Sequence, residues 1–226
     1  MLASAEEEVT GAGGVRAVLQ ELPTIDFSLV GEPTSLQPAV AEKGLMVLDC
    51  VAKGVSGHAA RDEGDNAIYN AISDIEWFRN NKLPKSSALF GDVKMTVTQI
   101  IAGTQHNVIP DSCSYVVDIR STECYSNSEL LDIIKSNVKS EVKARSTRLN
   151  SSSISLEHPL VRRAIEMGRK PYGSPTLSNQ ALLNIPTLKM GPGDTARSHT
   201  ANEYILVSEI REGMELFCRM LDGLKI

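Results

Sequence analysis

The sequence predicts an α/β domain that is interrupted by a compact α+β unit. Three observations indicate this fold: a strand pattern occurs before residue 41, a β-α-β-β-α pattern fills residues 42–146, and helix and strand patterns alternate again afterwards. We therefore predict a first segment of the α/β domain at 1–41, an inserted domain at 42–146 and a second α/β segment at 147–226.

Apolar runs and turn residues mark the elements of the two outer segments. "TIDFSLVGEPTS" predicts a short buried strand that ends at Pro33. After the inserted domain, "TRLNSSSISLEHP" is typical of a linker or of the approach to a strand, and "PLVRRAIEMGRKPYG" predicts a helix. "NIPTLKMGPGD" predicts a strand with a glycine turn, and "ILVSEIREGMELFCRMLDGL" predicts a long final helix.

The inserted domain has strand and helix patterns of its own. "KGLMVLDCVAKG" predicts a strand with Met46, Leu48 and Cys50 on one face. "DNAIYNAISDIEWFRNN" predicts an amphipathic helix with Asp65 or Asn66 as N-cap, and its apolar stripe comprises Ala67, Ile68, Ala71, Ile72, Ile75, Trp77 and Phe78. "VKMTVTQIIAG" and "SCSYVVDIRS" predict two strands, and "NSELLDIIKSNVKSEVKA" predicts a second helix. We expect both helices on one face of an antiparallel sheet. The pattern does not decide whether the sheet has one further strand.

Composition narrows the class of protein. The net charge of −5 does not provide the basic face of a nucleic-acid binder. No apolar run approaches the ~20 residues that span a bilayer, and "MLASAEEE" has no signal-peptide pattern. The four cysteines are widely spaced, which favours reduced thiols. We expect a cytoplasmic protein that binds neither nucleic acid nor membrane.

Several carboxylate and imidazole side chains stand beside turns or predicted strand ends. They are Glu6, Glu7 and Glu8 before a glycine-rich turn, Glu32 in "GEPT", His58 in "SGHAA" and His199 in "GPGDTARSHTANEY". In open α/β sheets, ligands bind at the carboxyl ends of strands, so these positions are candidates for a site. Taken singly, each is also typical of a solvated surface.

The order and spacing of these stretches resemble the M20 family of metal-dependent peptidases and deacylases, which includes acetylornithine deacetylase and succinyl-diaminopimelate desuccinylase. The matching stretches are "SAEEEVTGAGG", "GEPTS", "GVSGHAA", "HNVIPD", "DIRS" and "GPGDTARSHTANEY". The resemblance implies a catalytic domain of the zinc-hydrolase type, interrupted by a ferredoxin-like lid and dimerisation domain. It also implies a homodimer formed through that lid.

The resemblance implies a metal site and a general base. It places Glu7 as the general base and Glu8 as a metal ligand, and a register shifted by one residue, to Glu6 and Glu7, stays open. Glu32 and His199 are implied as further ligands of two zinc ions. Such ions lie about 3.5–4 Å apart and can polarise an amide carbonyl.

The remaining roles that the resemblance implies concern the substrate. His58 matches the lid histidine that stabilises the oxyanion in the partner subunit's site. Asn107, Arg120 and Gly193 match substrate-binding positions, and the guanidinium of Arg120 suits a substrate carboxylate.

The sequence also departs from the family pattern. The family has an HxD motif and a bridging Asp before the glutamate pair, and this sequence contains no HxD. We therefore expect the N-terminal part of the catalytic domain to be lacking and its metal sites to be incomplete. Asn179 stands where related sequences often have Asp, and we expect His106 and His158 to be surface residues.

The expected function is metal-dependent hydrolysis of the amide bond of an N-acyl amino acid, similar to acetylornithine deacetylase in arginine biosynthesis. Because of the missing ligands, the chain is also expected to be inactive by itself. Two alternatives stay open: a dipeptidase or carboxypeptidase of the same family, and a dimerisation module without catalysis.

Overall fold

The structure is a computed structural model that describes residues 2–3, 13–19, 21–61, 63–183 and 185–225. It divides into two compact units. We call residues 1–43 together with 151–226 the split unit, and residues 44–150 the inserted unit. Among the described residues, no helix combines the length and the apolar character needed to cross a membrane.

The helices and strands of the described residues have the following bounds. In chain order they are α1 (Val15–Leu19), β1 (Ser28–Val30), β2 (Ala39–Glu42), β3 (Met46–Lys53), β4 (Gly57–His58), α2 (Ala67–Asn80), β5 (Lys94–Ala102), β6 (Val108–Ile109), β7 (Ser112–Arg120), α3 (Asn127–Asn137), β8 (Glu141–Ala144), β9 (Ser152–Ser153), α4 (Pro159–Glu166), β10 (Tyr172–Ser174), β11 (Thr187–Lys189) and α5 (Val207–Leu221). Short 3₁₀ helices occur at Asn179–Leu182 and Thr195–Arg197.

The split unit is built on a mixed sheet with the strand order β1-β11-β2-β10, and β9 also pairs with β2. β1 runs parallel to β11 and β10 runs parallel to β2, whereas β11 and β2 are antiparallel. Its apolar core joins the sheet to α4 and α5 through Leu36, Val40, Ile154, Leu160, Val161, Ala164, Leu188, Met190, Leu216 and Met220.

The first turn of α4 gives His158 a structural role. Its Nδ1 accepts a hydrogen bond of 3.3 Å from the backbone N–H of Leu160, so His158 is the N-cap, and Pro159 follows at a position that suits proline. The ring also lies 5.5 Å from the ring of Phe27, centroid to centroid. The expectation of a simple surface histidine is therefore wrong, because the side chain is half-buried and caps a helix.

The inserted unit is an antiparallel sheet of four strands in the order β5-β7-β3-β8. On β3, the alternation predicted from the sequence is confirmed, since Met46, Leu48 and Cys50 are buried. They pack in one cluster with Tyr115, Val117 and Ile119 of β7 and with side chains of α2 and α3. Burying each large apolar side chain stabilises such a unit by about 1.5–3 kcal/mol.

Helix α2 begins and ends as its sequence predicts. The Asn66 side chain accepts a hydrogen bond of 2.9 Å from the N–H of Ile68, which makes Asn66 the N-cap. The predicted apolar stripe is wrong at one position, because Ile72 is exposed. Asp74 is buried on the helix and accepts hydrogen bonds from the N–H groups of Lys139 and Ser140.

Helix α3 is shorter than predicted. A capping box of Ser126 and Glu129 opens it, and it ends at Asn137. The stretch "EVKA" was predicted to continue the helix but forms β8 beside β3. Since Asp74 holds the turn at Lys139 and Ser140, pairing with the sheet overrides the local helical preference. With this further strand, the α/β class and the inserted α+β unit are confirmed.

Candidate active site

Two parallel strands bring together the stretches "GEPT" and "GPGD". β1 and β11 are neighbours, so their carboxyl ends meet at one edge of the sheet. The pairing continues beyond the strands, because the N–H of Met190 donates to the carbonyl of Val30 at 3.0 Å. Glu32 therefore stands beside the turn that follows β11.

The absence of a side chain at Gly191 allows this approach. A Cβ built on Gly191 would lie 2.5 Å from the carbonyl oxygen of Glu32, which is closer than real Cβ contacts. The carbonyl of Gly191 also accepts hydrogen bonds from the N–H groups of Thr34 and Leu36, at 3.2 and 2.9 Å. Gly193 has φ +86, a conformation that glycine adopts without strain, and its carbonyl accepts the N–H of Ser35 at 2.7 Å.

His199 lies on the loop between β11 and α5 in a left-handed backbone conformation, with φ 58. A histidine with positive φ is uncommon and carries strain that the surroundings must hold. The N–H of His199 donates to Oε2 of Glu203 at 3.2 Å, and the hydroxyl of Thr200 donates to the carbonyl of Arg197 at 2.8 Å. These hydrogen bonds fix the turn that carries the imidazole.

The loop is also held by a group that the sequence reasoning missed, which we call the Arg197 brace. It consists of Arg197, Tyr204 and Glu209. The guanidinium lies 2.8 Å from Oε2 of Glu209 and 4.7 Å from the centre of the Tyr204 ring. The hydrogen bond from Arg197 and the backbone N–H of Leu206 lower the pKa of Glu209. The stretch "TARSHTANEYILVSE" gives no sign of this pairing, since the partners lie 12 residues apart.

Glu32 and His199 line the same cavity of about 570 Å³, together with Tyr172, Thr176, Lys189 and Glu203. Carboxylate oxygen and imidazole nitrogen are ligands of zinc, so these donors fit a divalent ion in kind. Within the described ranges, however, no cluster of three or more His, Cys, Asp or Glu side chains could hold a metal ion. The described residues therefore supply only part of a donor set, and Glu7 and Glu8 lie outside them.

Lys189, which lines this cavity, belongs to a buried ion pair that the sequence reasoning also missed. Nζ of Lys189 lies 3.0 Å from Oε2 of Glu42, and their side chains are 3% and 0% exposed. Burial raises the pKa of Glu42, and the ammonium of Lys189 acts against that rise. The available signal was a charged residue inside two apolar strand patterns, "PAVAEKG" and "IPTLKMG".

His58 and Asn107 meet in a small two-stranded ladder of the inserted unit. His58 of β4 pairs with Val108 of β6, and the N–H of Ala59 donates to the carbonyl of Asn107 at 3.0 Å. Nδ1 of His58 accepts the N–H of Ala60 at 3.1 Å, which leaves Nε2 to carry the proton of the neutral ring. The exposed imidazole can therefore act as a hydrogen-bond donor.

Arg120 contacts a carboxylate of its own strand. Its Nε and Nη2 donate to the two oxygens of Asp118, at 2.8 and 3.1 Å. The carboxylate of Asp118 thus accepts the bidentate contact from Arg120 that the resemblance implies for a substrate carboxylate. His106, in contrast, is exposed as expected from the sequence.

Comparison with known proteins agrees with this architecture. Residues 40–146 match the peptidase dimerisation domain of the M20 family. The chain is 28% identical over 240 residues to acetylornithine deacetylase of Pectobacterium carotovorum subsp. carotovorum, covering 98% of this chain and 63% of that protein. It is 31% identical over 160 residues to succinyl-diaminopimelate desuccinylase of Ehrlichia canis, covering 65% of this chain and 42% of that protein.

The fold is also found among solved structures. The Bacillus subtilis YXEP protein, described as a dinuclear metal binding peptidase from the M20 family, superposes with a TM-score of 0.66 and 18% identity. The match covers 96% of this chain and 62% of that protein. The resemblance predicted from the sequence is thereby confirmed, and the chain spans less than two thirds of the length of these relatives.

Proposed function

We propose that this chain, which resembles the M20 family along nearly its whole length and carries its peptidase dimerisation domain, is part of a metal-dependent enzyme that hydrolyses the amide bond of N-acyl amino acids. The observation that supports this most directly is the shared cavity of Glu32 and His199 at the carboxyl ends of β1 and β11. Acetylornithine is the substrate that we favour, because an acetylornithine deacetylase aligns with 98% of the chain.

In this proposal, Glu8, Glu32 and His199 contribute ligands to divalent ions, with zinc as the expected metal. Such an ion, when bound, polarises the amide carbonyl. Glu7 accepts the proton of the attacking water and passes it to the leaving amine. The Nε2–H of His58 donates to the oxyanion in the partner subunit's site, which agrees with the acceptor role of its Nδ1.

The substrate-binding roles of Asn107, Arg120 and Gly193 remain part of the proposal. Arg120 uses Nε and Nη2 for its bidentate contact with Asp118, and its Nη1 has no hydrogen-bond partner among the described residues. A substrate carboxylate would therefore bind to Nη1 or replace Asp118.

Metal content and turnover test the proposal together. The chain, extended by an N-terminal segment that supplies the HxD motif and the bridging Asp of the M20 family, is dialysed against dilute zinc, measured by elemental analysis and assayed with N-acetylornithine. His199→Ala should lower both zinc content and turnover, and His106→Ala, which changes an exposed histidine, is the matched control. Zinc binding that is equal in the two variants would contradict the role of His199.

The register of the glutamates has its own test. Glu7→Ala should lower turnover and leave zinc content nearly unchanged, whereas Glu8→Ala should lower zinc content first. The opposite pattern would assign the roles to Glu6 and Glu7.

A peptidase of the same family is the second candidate, favoured by the peptidase description of the YXEP structure. It would share the ligands and differ in the pocket for the acyl group. Turnover of a dipeptide above that of N-acetylornithine would support it. A chain that forms dimers and cleaves neither substrate would agree with the third possibility, a dimerisation module.

The proposed homodimer uses the edge of the inserted sheet. β5 is nine residues long and pairs only with β7 among the described strands, and its Ile100 and Ile101 are 53% and 72% exposed. Long apolar edge strands tend to pair with another chain. Light scattering after size exclusion should show a dimer, and Ile101→Lys should give a monomer, while Leu89→Lys should remain dimeric. A monomeric wild-type chain would contradict the proposal.

A further inference from the structure

One wall of the cavity contains Lys189, whose ammonium is buried in an ion pair with Glu42. Lys189 is the last residue of β11 and lines the cavity, and Glu42 is the last residue of the antiparallel neighbour β2. Buried ion pairs are often replaceable by apolar side chains without loss of stability. Stability alone therefore does not explain this ion pair, and we consider its effect on the ligand that the cavity binds.

The ammonium of Lys189 has no donor left for a ligand. Its three hydrogen bonds go to Oε2 of Glu42 at 3.0 Å, to the carbonyl of Thr176 at 2.9 Å and to the hydroxyl of Thr176 at 3.3 Å. An ammonium group has three donors, so all of them are used. The hydroxyl of Ser178 donates to the same carboxylate oxygen at 2.8 Å, which further fixes the pair.

Among the described residues that line the cavity, Lys189 is the only lysine or arginine. The ionisable side chains that line it, besides Lys189, are Glu32, Tyr172, His199 and Glu203. Two of these are carboxylates, and His199 is the proposed metal ligand. A ligand carboxylate placed against Lys189 would lose its water without gaining a counter-charge, which is costly.

We propose that the Glu42–Lys189 pair determines specificity by making this wall neutral. The cavity then selects N-acyl amino acids whose acyl group is uncharged, such as acetyl, over those whose acyl group carries a carboxylate, such as succinyl. The inference rests on the proposed function and narrows its substrate class. It separates the activities named for the two relatives, a deacetylase and a desuccinylase.

Calorimetric titration of the zinc-loaded chain, extended as in the test of the proposed function, with N-acetylornithine and with N-succinylornithine tests the inference. The wild-type chain should bind the acetyl compound at least tenfold more tightly. Glu42→Gln removes the counter-charge and frees Lys189 to pair with a ligand anion, so the preference should move at least tenfold towards the succinyl compound. Glu157→Gln, at an exposed carboxylate of the same unit, should leave the preference unchanged.

A second variant covers the case in which Glu42→Gln does not fold. Glu42→Gln with Lys189→Met removes both charges and should keep the preference of the wild type for the acetyl compound. A change of tenfold or more in this double variant would overturn the inference.

The outcomes separate this inference from the proposed function. Equal binding of both compounds, or tighter binding of the succinyl compound by the wild-type chain, overturns the inference and leaves the function intact. A wild-type chain that binds neither compound overturns the proposed function, and the inference with it.

Discussion

The two units compensate buried charge in different ways, because the split unit buries an ion pair and the inserted unit buries the carboxylate of Asp74 against backbone N–H groups. In the inserted unit, the largest fully buried side chains are Met46, Leu48, Tyr115, Ile119, Leu130 and Ile134. In the split unit, Glu42 and Gln180 are buried as completely as Leu188 and Met190. The ammonium of Lys189 forms an ion pair with the buried carboxylate of Glu42. Nε2 of Gln180 donates a hydrogen bond to the carbonyl of Thr187.

This difference shows where each unit gains stability. Apolar burial stabilises directly, whereas a buried charge must recover its lost hydration through its partners. The split unit places the buried ammonium of Lys189 on the wall of the cavity, whereas the Asp49–Arg145 pair of the inserted unit is exposed. A buried ion pair is therefore found with the candidate site, whereas the buried carboxylate of Asp74 in the inserted unit is held by backbone N–H groups.

The largest expected effect comes from breaking the buried pair. Lys189→Met leaves Glu42 without its counter-charge and should lower the free energy of unfolding by about 3–5 kcal/mol. Replacing both residues by methionine should recover most of that loss. Urea denaturation measures both values. A single variant as stable as the wild type would show that the pair does not hold the polar interior of the split unit together.

An apolar truncation in the inserted unit is the matched change. Leu48→Ala removes a fully buried side chain on a central strand and should cost about 2–5 kcal/mol. Leu89→Ala, at a residue that is 47% exposed, should change stability by less than about 0.5 kcal/mol. If both variants had similar stability, the assignment of the core around Leu48 would be wrong.

A smaller effect is expected at the Arg197 brace. Arg197→Met removes the contact with Glu209 and should raise hydrogen exchange of residues 195–206 by roughly two- to fivefold, with little change in global stability. Arg162→Met, which alters an exposed pair with Glu157, is the control. Unchanged exchange in the loop would mean that Glu203 alone fixes the turn at His199.

The smallest effect concerns pH and the surface of the inserted unit. The pKa of Asp49 is lowered by hydrogen bonds from Arg145, and that of Glu129 by the N–H and hydroxyl of Ser126. Groups with lowered pKa values stabilise the fold above their unfolded pKa, about 4 here, and lose that contribution as pH falls through the folded values.

Glu129→Gln keeps a capping side chain and removes this titration. The stability difference between wild type and variant should shrink as pH falls below about 4, and thermal unfolding over a pH series measures it. A difference that grows at low pH would contradict the lowered pKa of Glu129.

The repeating patterns of the inserted unit were predictable because they are local. Alternation along β3 and the cap at Asn66 follow from neighbours in sequence. The end of α3 was not predictable in this way, since "EVKA" becomes a strand only through pairing with β3 and through the carboxylate of Asp74, which holds the preceding turn. The burial of Asp74 in an otherwise amphipathic helix has the same long-range cause.

The sequence by itself determined the fold class, the two helices and central strands of the inserted unit, and the resemblance that names Glu32 and His199. These depend on periodicity and on motif order, which short segments carry. Only the tertiary structure decided that Glu42 and Lys189 pair, that Arg197 braces the His199 loop, and that Arg120 contacts Asp118. The physical reason is that the energy of a charged side chain depends on burial and on its partner, and the fold sets both.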